Sequence, residues 1–184
     1  MSAINSLKKL SDAQLVALAR QQLPYATTAW EELMYRHEKP LVSLCRNLCG
    51  NYSDAEDAYQ EVLLRVFHHL PKFRGDASFK TWVFRIAYNE SVSLIRRRKP
   101  HDSLDVFNGA AVHDTEKVDL AVDWSFHGML ACLSLEDRSI LALRLISDLD
   151  FQDIANITGN GLGAVKMRYK RALEKLRPLL EKSV

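Results

Sequence analysis

Few residues in this chain would break a helix, and no stretch of it would span a membrane. Seven glycines and five prolines are scattered through 184 residues, which excludes collagen-like and low-complexity architectures. No apolar run approaches the ~20 positions that a membrane helix needs. The first residues, MSAINSLKKLSDAQ, hold two lysines with neither an apolar stretch nor a small-residue cleavage site behind them, so they do not read as a secretory signal. The chain is expected to stay in the cytosol. Three cysteines, Cys45, Cys49 and Cys132, are too few and odd in number for a disulfide framework. Cys45 and Cys49 share a helix face with Leu41, Leu44 and Leu48, with only His37 near in sequence. Buried thiols acting as small hydrophobes are the better reading than a metal site, and no metal or other cofactor is expected.

Large net charge is missing as well. The balance is only +2, and the information lies in how the charge is distributed. Residues 1–100 have an excess of cations. Residues 101–123 carry Asp102, Asp105, Asp114, Glu116, Asp119 and Asp123 against Lys117 alone, and residues 162–177 carry Lys166, Arg168, Lys170, Arg171, Lys175 and Arg177 against Glu174 alone. A basic module, an acidic connector and a basic final helix follow one another.

What is present is helix. With 47% hydrophobic residues a packed core is within reach, and no alternating apolar run or hairpin signal appears. Start signals of one kind recur. Ser11-x-x-Gln14 opens a helix to about Gln22, and Thr28-x-x-Glu31 opens one toward Cys49 that stops at Gly50 and is kinked or broken at Pro40. Ser53-x-x-Glu56 opens a third that ends before Pro71. Ser78 caps a fourth that ends near Lys99, because Pro100 disfavours helix at the residue before it. Beyond Pro100 the periodicity fades, and it returns after Asp123. Ser134-x-x-Asp137 then opens a helix to about Ser147, Asp150-x-x-Asp153 a short one to Thr158, and a last helix runs from Leu162 to about Glu181. The expected fold is all-α: a domain at 1–99, a flexible acidic linker at 100–122 and a second domain at 123–184.

Residues 150–177 form a helix-turn-helix pattern. Phe151, Ile154, Ala155 and Ile157 point inward, Gly159-Asn160-Gly161 makes the turn, and Gly161 is a tolerable N-cap. In the following helix Leu162, Val165, Tyr169, Ala172, Leu173 and Leu176 take the core face, leaving Lys166, Met167, Lys170, Arg171 and Lys175 on the open side. A short helix, a tight turn and a second helix with one basic face suit insertion into a major groove, where lysine neutralises phosphate and arginine pairs with guanine. An ordinary helical hairpin with a solvated face is the competing reading.

The helix after Ser78 has two contrasting sides. At about 100° per residue, Val83, Ile86, Ala87, Ser91, Leu94 and Ile95 fall on one side and Trp82, Arg85, Asn89, Ser93 and Arg96 on the other. Cations for phosphate, an amide for a base edge and a ring for stacking suit a nucleic acid. The loop Phe73-Arg74-Gly75-Asp76-Ala77 ahead of it suits an unstacked base, unless Phe73 and Phe79 only plug the core. Asp54, Glu56, Asp57, Gln60 and Glu61 crowd the helix after Ser53 with no metal-ligand spacing, which leaves two readings equally open, an acidic face for a protein partner and a solvated face favourable in the first turn.

Together these strings resemble the extracytoplasmic-function (ECF) sigma factors, over roughly Ala29 to Arg177. SDAEDAYQEVLLRVF (53–67) is similar to the stretch that docks on the β′ subunit of RNA polymerase. FRGDASFKTWVFRIAYN (73–89) is similar to the −10 loop and helix, and LSLEDRSILALRLISDLDFQDIA (133–155) with the helix after it to the −35 reader. The resemblance implies polymerase contacts at Asp54, Asp57, Gln60, Glu61 and Leu64. It implies −10 contacts at Phe73, Arg74, Asp76, Lys80, Trp82, Arg85, Asn89, Arg96 and Arg97. It implies −35 contacts at Lys166, Met167, Arg168, Lys170, Arg171 and Lys175. The implied partners are core RNA polymerase (β′ and β), promoter DNA and an anti-sigma factor that can hold the chain at the inner membrane; no small-molecule substrate is implied. Met167 and Ala164 stand where small polar residues are frequent in the family, so the −35 preference is this chain's own. Two other function classes remain on the residues alone. One is a stand-alone helix-turn-helix regulator. The other is a helical enzyme, which has no nucleophile–base pair, metal spacing or phosphate-binding glycine loop to support it.

Overall fold

The computed structural model describes residues 6–98, 128–130 and 132–181. The acidic connector and the first residues expected of the second domain lie outside the described residues. Those described form helices and turns with no strand, as expected of an all-α chain.

The helices begin where side chains satisfy otherwise orphaned backbone donors. At α1 (Asp12–Gln22), Ser11 accepts from the Gln14 amide while the Gln14 side chain accepts from the Ser11 amide, a reciprocal cap that contributes about 1 kcal/mol. At α2 (Thr28–Cys49) the expected Thr28 cap is one residue out. Thr27 holds the cap position without bonding the backbone, and its hydroxyl donates instead to Glu31, at 2.5 Å. Pro40 does not break α2, which continues through it because Leu33, Met34, Leu41 and Leu44 are buried on both sides. Gly50 ends α2 with φ +81°, a conformation open to glycine.

At α3 (Tyr52–His69) the sequence expectation is corrected: Asn51, not Ser53, caps it by accepting from the Asp54 amide. A single 3₁₀ turn (Leu70–Lys72) follows. Ser78 caps α4 (Phe79–Arg98) as expected, accepting from the Thr81 amide at 3.0 Å. Ser134 and Asp150 likewise cap α5 (Leu135–Leu145) and α6 (Phe151–Thr158). Gly159, at φ +70°, ends α6 and turns the chain into α7 (Leu162–Glu181), whose first-turn bond from Val165 accepts at the Gly161 carbonyl.

Helices α1–α4 pack as one bundle, with α2 against α1, α3 and α4. Its core includes Leu15, Leu33, Leu44, Val62, Val83 and Phe84. Phe84 is fully buried although the helical-wheel reading assigned it to neither face; Ile86, assigned to the core, is only half-buried. In the second module α5 and α6 pack against α7, and Leu130, Leu133, Leu141, Ala172 and Leu176 make a small core of their own. Leu162 and Leu173, read as core residues, are 37% and 38% exposed. The two modules touch. The larger core continues from the first bundle through Ile140, Leu143, Leu149 and Ile154 of the second, with α5 lying on α2 and α6 on α4.

Candidate polymerase and nucleic-acid interfaces

A concavity of about 450 Å³ opens between the end of α3, the 3₁₀ turn, the 73–78 loop and one face of α4. Arg65, His69 and Lys72 line one side, Phe73 to Ala77 the rim, and Trp82, Arg85, Ile86, Asn89 and Glu90 the floor. Phe73 and Trp82 line its wall, with Phe79 packed behind them. Phe73 and Trp82 have centroids 4.9 Å apart, Phe79 and Trp82 5.8 Å, and Phe73 and Phe79 6.5 Å. Such contacts add about 0.5–1.5 kcal/mol each beyond area burial, so the loop enters α4 at a fixed place. Phe79 is buried and does plug the core, while Phe73 and Trp82 stay half-buried and face the concavity.

The polar groups follow the expected arrangement with particular departures. Asn89 is exposed on the floor, and Arg85 is half-buried with its Nε unpartnered. Arg74 and Asp76 face each other at 3.5 Å, both largely in solvent. Arg96 is exposed, and Arg97, also exposed, donates to the Ser93 carbonyl. Lys80 is less free than expected: it is half-buried, and its Nζ reaches the Asp148 carbonyl of the second module at 3.5 Å. Arg65 lay outside the sequence reading. It joins the concavity while its Nε sits 3.0 Å from Glu61 and 2.9 Å from Glu90. The i,i+4 spacing of Glu61 and Arg65 was the available signal, but only the fold brings Glu90 to them.

Along α3 the candidate docking face divides. Asp57 and Gln60 are exposed, Glu61 is half-exposed and Leu64 is 55% exposed. An acidic face with one uncovered leucine remains. Asp54 is corrected: it is 2% exposed, paired with Arg98 and hydrogen-bonded to the Asn51 side chain, so it holds the start of α3 and is closed to a partner. Cys45 and Cys49 lie behind this face. Burial pushes the Cys45 thiol up to about 12 and the Cys49 thiol to about 11, as for protonated core thiols.

On the recognition helix α7, Lys166, Met167, Lys170 and Arg171 are exposed, with Val165, Ala172 and Leu176 buried opposite them. Lys175 is 60% exposed and 3.9 Å from Asp137. Arg168 is less free than expected: it pairs with Glu136 and, at 3.0 Å, with Asp137, which ties α7 to the start of α5. Tyr169 packs edge-on against Phe151, 5.2 Å between centroids, and fixes α7 against α6.

Two family models match the chain. Residues 33–101 match Sigma-70 region 2 and residues 129–178 match Sigma-70 region 4. The chain is 30% identical to the ECF RNA polymerase sigma factor SigM of Mycobacterium tuberculosis H37Rv, over 92% of this chain and 85% of that one. It is 29% identical to the ECF RNA polymerase sigma factor SigW of Bacillus subtilis, over 83% of this chain and 89% of that one. Among solved structures it resembles the sigma factor RpoE in complex with the anti-sigma factor NepR from Bartonella quintana, with TM-score 0.70 and 26% identity over 83% of this chain and 96% of that one. It shares its fold with CnrH in complex with the cytosolic domain of CnrY, with TM-score 0.70 and 24% identity over 94% of this chain and 99% of that one. With both regions present in order around a ring-lined concavity and an exposed basic recognition helix, the chain belongs to the ECF group of sigma-70 RNA polymerase sigma factors.

Proposed function

We propose that this chain is a promoter-specificity subunit: it joins core RNA polymerase and directs initiation from promoters that carry matching −10 and −35 elements. The observation that carries the reading is the pairing of two unlike surfaces on one chain. One is a concavity walled by rings, with an amide and cations around it; the other is a helix with Lys166, Met167, Lys170 and Arg171 uncovered. A concavity suits a base taken out of its stack, and a convex basic helix suits a duplex groove.

At −10, extruding a base costs a few kcal/mol. Stacking on Trp82 or Phe73 returns about 1–3 kcal/mol, Asn89 supplies donors and an acceptor for the base edge, and Arg85, Arg96 and the loop's Arg74 hold phosphate. At −35, Lys166, Lys170 and Arg171 hold the duplex and Met167 lies against base edges. The exposed acids Asp57 and Glu61, with Gln60 and Leu64, form the face that docks on polymerase. This division of residues, with a first domain at 1–99 and a second at 123–184, belongs to the proposal, as does an anti-sigma partner. No described helix is long and apolar enough to cross a membrane.

Run-off transcription tests this directly. Adding the chain to core polymerase on a pool of genomic promoters is expected to produce discrete new transcripts, and the chain alone is expected to retard duplex DNA poorly. Strong sequence-specific retardation without polymerase, with no new transcript, would establish the stand-alone regulator instead.

A further inference from the structure

We propose that Met167 selects a thymine in the −35 element, by burying its thioether side chain against the thymine 5-methyl group in the major groove. The inference rests on the promoter-specificity reading and names the base that one position of α7 takes.

The helix itself sets where Met167 stands. At about 100° per residue it lies roughly 160–180° from Val165, Tyr169 and Leu176. Those residues seat α7: Val165 and Leu176 are buried, and Tyr169 packs on Phe151. Met167 therefore occupies the middle of the outward face, and it is 54% exposed. Leu162 and Leu173, also part-exposed, fall about 120–140° from it, at the margins of the core. A lone exposed apolar side chain is ordinary on a protein surface. Its surroundings set this one apart.

Toward the start of α7 the face is bare. Gly163 and Ala164 fall within about 60° of Met167, and both are exposed. A Cβ added at Gly163 would meet nothing within 4 Å, so packing within the fold does not call for glycine there. Helical side chains lean back toward the N-terminus over the preceding turn. The thioether thus has only Gly163 and Ala164 beneath it, and no bulk beside it holds a flat surface away. Toward the end of α7, Lys170 and Arg171 fall within about 60° of Met167 and are exposed, with exposed Lys166 at the flank. A recognition helix meets base edges with its N-terminal residues, which here are the bare ones. The cations beside and behind them suit phosphate.

Chemistry then chooses the base. A thioether donates no hydrogen bond and accepts only weakly, so Met167 is blind to the donor and acceptor pattern of most base edges. The thymine 5-methyl is the one methyl group that the four standard bases show in the major groove. Any other base would set polar edge atoms against Met167 and strip them of water without a partner. An unbranched, polarizable side chain adapts its shape to such a contact. Burial of one methyl corresponds to a ~4-fold gain in affinity.

The test uses holoenzyme assembled from core polymerase and the full-length chain. Run-off transcription from a promoter pool randomised at −35 is expected to enrich a thymine at one position or more. Each thymine of the selected element is then replaced singly by deoxyuridine, which keeps every hydrogen-bonding atom and lacks only the methyl. For wild type, deoxyuridine at one position should lower affinity for the −35 duplex ~4-fold. With Met167→Ser the same replacement should have no effect, and with Met167→Leu a loss of similar size should return. The comparison is a double-mutant cycle across the protein–DNA contact. An element without a favoured thymine overturns the proposal. So does a wild type indifferent to deoxyuridine at every position, or an equally large loss with Met167→Ser. Should a variant fold poorly by circular dichroism, the wild-type deoxyuridine series still decides. Absence of any transcript with core polymerase would sink the promoter-specificity reading and this proposal together. Transcription that needs the −35 element but ignores the thymine methyl removes the proposal alone.

Discussion

Asp54 and Asp57 lie three positions apart on one helix, and their environments give them different work. Asp54 is enclosed by Asn51 and Arg98, while Asp57 is open to solvent. Replacing Asp54 with Ala removes a buried, hydrogen-bonded carboxylate and is expected to cost about 1–3 kcal/mol, read as a lower Tm with core affinity preserved below the transition. Asp57→Ala is expected to leave Tm within error and weaken core binding, measured by fluorescence anisotropy. Reversed outcomes would mean that the docking face lies elsewhere. Trp82 offers the corresponding experiment on the nucleic-acid side. Its ring is wedged against Phe73 yet faces the concavity. Trp82→Ala should therefore cut open-complex formation by roughly fivefold to a hundredfold, from stacking of about 1–3 kcal/mol, and a template already unpaired at −10 should recover only part of that loss. Equal activity on duplex and pre-melted templates would exclude a strand-capturing role.

At the scale of elements, α7 carries both an exposed basic side and an ion-paired side along a single helix. Lys166 projects freely, whereas Arg168 spends its guanidinium on Glu136 and Asp137. Lys166→Ala should lower the slope of log affinity against log salt by about 0.9, the loss of one phosphate contact, in holoenzyme binding to −35 duplex. Arg168→Ala should leave that slope unchanged and lower thermal stability instead, because it loosens α7 from α5. A salt slope that moves with Arg168 and not Lys166 would reverse the assignment.

The elements also show what a sequence can and cannot disclose. Helix existence was legible because caps and apolar spacing are local: Ser11, Ser78, Ser134 and Asp150 cap as their spacing predicts. Asn51 displaced Ser53 because two adjacent candidates differ only in the backbone geometry of the preceding turn. Pro40 stayed inside α2 because tertiary burial on both sides outweighs one missing hydrogen bond. The concavity's residue types were legible from the two faces of α4. The carboxylate partners of Arg65, Arg98 and Arg168 were not, since Glu90, Asp54 and Asp137 meet them only when separate helices pack.

Over the whole molecule, the proposed function implies that each surface on its own binds weakly and that the linkage between them supplies the selectivity. Two modules held on one enzyme raise each other's effective concentration, with a gain that vanishes when geometry forbids joint engagement. The spacing between the two DNA elements is therefore the quantity the account constrains most tightly. The decisive measurement is holoenzyme transcription from one promoter rebuilt with a graded series of −10 to −35 spacers. We expect a sharp optimum, with a collapse when about five base pairs, half a helical turn, are added or removed. A flat profile across the series, with Lys166 and Trp82 variants still defective, would contradict a chain that grips both elements at once.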